Sequence, residues 1–129
     1  MTEYLDLDDL VVAAEAAVEG PPEVRDIGLL DAAAARPRSS VFGADAYPDL
    51  DTKAAALLHS IVTSHPLVDG NKRLGWVAVR VFYLLNDMDI RPPADAAYHL
   101  VIAVADGRLR DVNAIAERLT SLRASGRGR

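Results

Sequence analysis

The residues best equipped for chemistry stand together in one run, His65-Pro66-Leu67-Val68-Asp69-Gly70-Asn71-Lys72-Arg73. His65 is a candidate general base, because imidazole takes up a proton near neutral pH. Asp69 is a hard oxygen ligand suited to Mg²⁺, which is held by one or two carboxylates while phosphates and waters complete its shell. Gly70 permits a positive φ, so that successive backbone N–H groups can converge on an anion. Asn71 can cap a following helix. Lys72 and Arg73 add two positive charges, and Arg73 can grip a phosphate through paired hydrogen bonds. Base, metal ligand, anion nest and cation clamp are the parts of phosphoryl or nucleotidyl transfer.

Two apolar, helix-patterned segments must hold this loop. The first runs from about Thr52, capped by Asp51, to Ser64, with Ala54, Leu57, Leu58, Ile61 and Val62 inward. Pro66 disfavours helical geometry at His65 and ends it. The second starts at Asn71 and continues to about Asn86, and its apolar stripe reads as Leu74, Val77, Ala78, Val81, Leu84 and Leu85. A helix that opens on Lys72-Arg73 has its charges reversed. The N-terminal end carries partial positive charge, so each cation there costs roughly 0.3–1 kcal/mol. A local rule broken in this way marks a site, and cations at a helix N-terminus suit a bound phosphate.

Four more helices complete the pattern. Leu7, Leu10, Val11, Ala14, Ala17 and Val18 have helical spacing, with Asp6 as N-cap and Gly20-Pro21-Pro22 as the stop. A short helix from Asp26 through the alanine cluster to Arg36 is stopped by Pro37. Pro92-Pro93 opens a fifth through Ala97, Leu100, Val101 and Val104, closed by Asp106-Gly107. Asp111 caps a sixth, with Val112, Ile115, Ala116, Leu119 and Leu122 inward. Arg38 to Pro48 has no helical period and reads as an exposed loop with a short extended piece at Val41-Phe42. The expectation is an all-α, six-helix single domain over residues 1–124, with a flexible tail at 125–129.

Composition narrows the function classes. A chain of 129 residues that is 50% hydrophobic supports one globular core. A net charge of −5 argues against direct nucleic-acid binding, which needs a basic face. There is no cysteine, so disulfides and thiolate metal sites are excluded. No apolar run approaches the ~20 residues needed to span a bilayer, and Met1-Thr2-Glu3-Tyr4 is no signal-peptide start, so a cytoplasmic, membrane-free protein is expected.

The loop resembles the active-site motif of the Fic/Doc (Fido) superfamily, roughly His-Pro-Phe-x-Asp/Glu-Gly-Asn-Gly/Lys-Arg. His65, Pro66, Asp69, Gly70, Asn71, Lys72 and Arg73 match as they stand. The six-helix order, the short length and Asp26-Ile27-Gly28-Leu29-Leu30 are similar as well. Lys72 stands where most Fic proteins carry glycine, and so resembles the death-on-curing (Doc) toxin branch. That resemblance implies an ATP- and Mg²⁺-dependent kinase, the toxin of a type II toxin–antitoxin pair, that phosphorylates a Ser/Thr hydroxyl of a translation factor. The family's known target is elongation factor Tu, and its modification stops translation. The resemblance casts His65 as base on the target hydroxyl and Asp69 as Mg²⁺ ligand. Gly70 and Asn71 shape the phosphate nest, and Lys72 and Arg73 bind ATP phosphates. The loop at 38–47 stands where the family has a target-docking flap. Inhibition by a cognate, Phd-like antitoxin in trans is also implied, since no internal inhibitory helix of the Ser/Thr-x-x-x-Glu-Gly type is present. The alternatives are a Fic-type AMP transferase and a binding module without activity. Leu67 replaces the family's phenylalanine, which implies a looser anchor for the loop. Leu74-Gly75 replaces Thr-Ala.

Residues outside the motif have plainer readings. His59 and His65 are not at i+3 or i+4 and make no helical metal pair. His99 sits in an apolar helix and reads as a core or boundary residue, and Trp76 and Tyr83 as packing aromatics. Asp6, Asp8 and Asp9 read as helix-start charge.

Overall fold

In the computed structural model of the chain, residues 1–126 are described, with side chains as far as Arg123. Aspartates start the first three helices. Asp6 caps α1 (Leu7–Val18), where its carboxylate accepts from the Asp9 amide while Asp9 returns the bond in a capping box. Asp26 caps α2 (Ile27–Ala35). Asp49 caps α3 (Leu50–Ser64), and Thr52 completes a second capping box. The cap of α3 is therefore Asp49, not the expected Asp51. The side chain of Asp51 turns inward, to be described below. Three further helices follow, α4 (Asn71–Leu85), α5 (Ala94–Ala105) and α6 (Val112–Gly126). Ser125 and Gly126 close α6, and the remainder of the expected tail, 127–129, lies outside the described residues.

The architecture is all-α, and α3 is its axis. Thr52 to Leu58, Ile61 and Val62 are all buried, because α2, α4, α5 and α6 surround this helix. Burying each of Leu57, Leu58 and Ile61 contributes roughly 1.5–3 kcal/mol. At the α3–α4 crossing, a Cβ on Gly75 would lie 2.7 Å from Val62 Cγ1 and 2.9 Å from Leu58 Cδ1. Gly75 thus lets the two helices that flank the loop approach closely.

The stripe expected on α4 is partly misplaced. Leu74 and Ala78 are buried as expected, together with Gly75, Val79, Phe82 and Tyr83. Val81, Leu84 and Leu85 are exposed. Apolar residues surround most of this helix, so period alone does not choose the inward face. Contact with both α1 and α3 does. His99 is exposed rather than core, standing edge-on to Tyr98 at 5.9 Å between ring centroids.

Pro37 does not simply stop the second helix. It lies within a single 3₁₀ turn, Arg36–Arg38, that extends α2. The expected loop then holds a small hairpin, β1 (Ser40–Val41) antiparallel to β2 (Ala44–Asp45), with Val41 opposite Ala44. Phe42 (φ 51°) and Gly43 (φ 82°) make a two-residue turn with positive φ at both positions, the type that matches strand twist. The fully buried Lys53 ties the hairpin's base to α3 through Asp45 Oδ2 at 3.1 Å and the Tyr47 carbonyl. Arg36 Nε donates to the Tyr47 hydroxyl at 2.9 Å, and its Nη1 donates to His59 Nδ1 at 2.8 Å. Burial, then the Arg36 charge, holds the His59 imidazole below its usual pKa.

Candidate active site

His65 ends α3 in the left-handed region, at φ 55° and ψ 61°. That conformation costs an L-residue roughly 1–2 kcal/mol, so neighbouring contacts must hold it. They come from the segment before α2. Arg25 Nε donates to the His65 carbonyl at 2.7 Å, and Nη2 to the Ser64 carbonyl at 2.8 Å. The backbone N–H groups of Arg25 and Asp26 both donate to the Pro66 carbonyl. Val24 bridges to Leu67, and the Val68 amide donates to the Glu23 carbonyl at 2.9 Å.

Leu67 is only 1% exposed, so it is a full core residue despite replacing a larger ring. Asn71 holds its backbone from the other side. Leu67 N donates to Asn71 Oδ1 and Asn71 Nδ2 donates back to the Leu67 carbonyl, both at 2.9 Å. The loop is therefore pinned on two sides, and the expected looseness is not seen. This use of Asn71 corrects its expected role as a cap. The N-cap of α4 is Gly70, in the left-handed region at φ 89°, and no side chain caps this end. Gly70 is required there twice over, since a Cβ would also lie 2.6 Å from Val18 Cγ1.

Gly70 sits where the C-terminal end of α1 meets the N-terminal end of α4. Arg73 Nη1 reaches the Ala17 carbonyl at 3.4 Å, close to the negative end of α1. The side chains of Lys72 and Arg73 remain exposed at the positive end of α4. Asp69 Oδ1 accepts from the Gly70 amide at 2.9 Å and is exposed.

These residues border one cleft of about 800 Å³, within the size range of small-molecule sites. His65, Asp69, Gly70, Asn71, Lys72 and Arg73 form its polar end. Trp76, Val77, Tyr98, Val101 and Ile102 line its apolar side. Every sequence-predicted site residue is thus brought to a single cavity. Trp76 packs against the core as expected, but it is only half-buried and also lines the cleft, whereas Tyr83 lies fully in the core. Sequence reasoning missed the α5 wall, because Tyr98 and Ile102 look like ordinary residues of an amphipathic helix. It also missed Arg25, whose extended setting after Pro21-Pro22 was the available signal.

The donor set fits Mg²⁺ brought with a phosphate chain rather than a dedicated protein cage. Asp69 is the one carboxylate among the described residues of the cleft, and among the described residues no group of three or more acidic or histidine side chains is placed to hold a metal ion. An uncapped helix N-terminus beside two cations suits the polyphosphate itself.

The sequence profile of the Fic/DOC family matches residues 3–83, which span α1 through most of α4 and include the whole loop. The chain belongs to the Fic/DOC family. It is also 46% identical over 127 residues to a protein named Toxin Doc from Mycolicibacterium smegmatis (strain ATCC 700084 / mc(2)155), an alignment covering 97% of each chain. No helix among the described residues is long and apolar enough to cross a membrane.

Proposed function

We propose that this chain is a Doc-type toxin: a Mg²⁺-dependent protein kinase that transfers the γ-phosphate of ATP to a Ser/Thr hydroxyl of elongation factor Tu in the cytoplasm, and so inhibits translation. The observation that carries the reading is the convergence of His65, Asp69, the open N-terminus of α4, Lys72 and Arg73 on one cleft. Near-full-length similarity to a protein named Toxin Doc supports it.

The residues divide the work as follows. His65 takes the proton from the target hydroxyl as its oxygen bonds to the γ-phosphorus and the bond to the β-phosphate oxygen breaks, releasing ADP. Lys72 and Arg73 hold the phosphates and offset charge that builds during transfer. The backbone N–H groups after Gly70 face the same anion. Asp69 and the phosphates would hold Mg²⁺, which neutralises phosphate charge when bound. Lys72 selects phosphate transfer over AMP transfer, because its Cβ and cationic chain narrow the nest and add charge for another phosphate. The hairpin at 40–45 serves as the target-docking flap, offering strand-like pairing to a substrate segment. A cognate Phd-like antitoxin, supplied in trans, completes the toxin–antitoxin pair.

The test uses purified protein, Mg²⁺, elongation factor Tu and ATP labelled at either the γ- or the α-phosphate. Transfer of γ-label that is lost in His65→Ala is the expected result. Transfer of α-label would replace the kinase with an AMP transferase. No transfer of either label by the wild type would overturn the reading.

A further inference from the structure

We infer that Arg25 is a positioning residue for His65, fixing the direction of the imidazole through the backbone from a segment forty residues away. The inference rests on the reading of His65 as the base.

Arg25 reaches three consecutive carbonyls, those of Ser64, His65 and Pro66. Two accept from its guanidinium, at 2.8 and 2.7 Å, and the third from its own amide at 2.8 Å. The guanidinium also stands at the negative end of α3, where a cation is favoured. Among the described residues, no hydrogen bond reaches the His65 imidazole ring itself. The Cα–Cβ bond that carries the ring takes its direction from the backbone at His65, which is held by the carbonyls on either side. Return of His65 to ordinary helical φ and ψ would redirect its Cα–Cβ bond. Arg25 does not line that cleft, so it has no route to the nucleotide except through His65 and its loop. The planar fork matters, because its Nε and Nη2 span adjacent carbonyls, whereas an ammonium is a single point of charge.

The test compares wild type, Arg25→Ala and Arg25→Lys by steady-state transfer of γ-phosphate and by NMR of the histidine side chains. Misplacing a base by about an ångström lowers turnover by about 10–100-fold, so Arg25→Ala should lose that much in kcat while KM for ATP stays within about twofold. Arg25→Lys should recover part of the loss. The His65 ring signals should shift and broaden in Arg25→Ala while those of His59 and His99 stay in place. Wild-type kcat in Arg25→Ala overturns the inference, as does a raised KM with kcat intact. An unchanged His65 signal overturns it as well. If the wild type itself transfers nothing, the kinase reading fails, and the NMR comparison still decides the role of Arg25. If Arg25→Ala does not fold, Arg25→Lys carries both measurements. It should show reduced kcat and a displaced His65 signal, and wild-type behaviour in both would overturn the assignment.

Discussion

Helices α3 and α4 pack side by side and begin in opposite ways. At the start of α3, Asp49 and Thr52 form a capping box that satisfies two of the free amides. Within the same first turn, the Asp51 carboxylate accepts from Tyr83 of α4 at 2.6 Å and from Thr120 of α6 at 2.6 Å. Arg123 of α6 grips it in a two-point pair at 3.0 and 2.6 Å. The start of α4 has none of this. Gly70 has no side chain to cap with, Asn71 turns back to Leu67, and two cations face the positive helix end. Negative charge at the first terminus closes it and ties three helices together. Positive charge at the second leaves it open towards a cleft. Stability is concentrated at one helix start, and the other is left open beside two exposed cations.

The largest expected effect is at the closed end. Asp51 has a side chain only 14% exposed, and its removal leaves Arg123 and the Tyr83 hydroxyl without their partner. Breaking such a pair from one side costs about 3 kcal/mol, so Asp51→Ala should lower the denaturant midpoint accordingly. Its ATP binding per folded molecule should stay at the wild-type level. A loss of nucleotide binding at full stability would erase the contrast between the two ends.

Lys72→Ala breaks the comparison from the other side. Transfer should fall by about 100-fold, as when one stabilising donor is removed from a transition state. Stability should rise by roughly 0.3–1 kcal/mol, because a cation leaves the positive end of α4. Calorimetry on the same preparation checks this, and a variant that is less stable as well as less active would contradict it.

A smaller effect lies in pH. Burial raises the Asp51 carboxyl, but the hydrogen bonds from Arg123, Thr120 and Tyr83 outweigh it and leave the folded pKa below 3.8. Asp51 therefore contributes stability above pH 3.8 that is lost as pH falls through the lower folded value. Burial, then the Asp51 carboxylate, pushes the Tyr83 phenol well above 10.0, so its contribution is complete below pH 10.0 and is lost as pH rises beyond it. Unfolding measured from acid to alkaline pH should flatten on the acid limb in Asp51→Asn and only in part on the alkaline limb, where the burial of Tyr83 persists.

The smallest expected change is Asp49→Ala, at about 1 kcal/mol for a lost N-cap, with transfer unaffected. A drop in activity at that position would mean that the start of α3 also serves the site.

Much of this contrast was legible in the amino-acid order. The reversed charge of Lys72-Arg73 singles out the start of α4, which the fold places at the cleft, and the six helices follow from apolar spacing. What was hidden depended on tertiary partners. Asp49 and Asp51 are equally good caps by type, and only Tyr83, Thr120 and Arg123 draw Asp51 away. Asn71 is a good cap by type too, yet the buried Leu67 backbone needs its amide more. Residues 23–26 pair with the loop across a separation that no local pattern encodes.

On the proposed function, the open end of α4 holds a triphosphate with its terminal phosphate turned towards His65. A crystal structure with Mg²⁺ and a non-hydrolysable ATP analogue tests it most directly. The γ-phosphate should lie beside the His65 ring, with the other phosphates on Lys72, Arg73 and the amides after Gly70. An α-phosphate beside His65, or a nucleotide bound elsewhere, would contradict it.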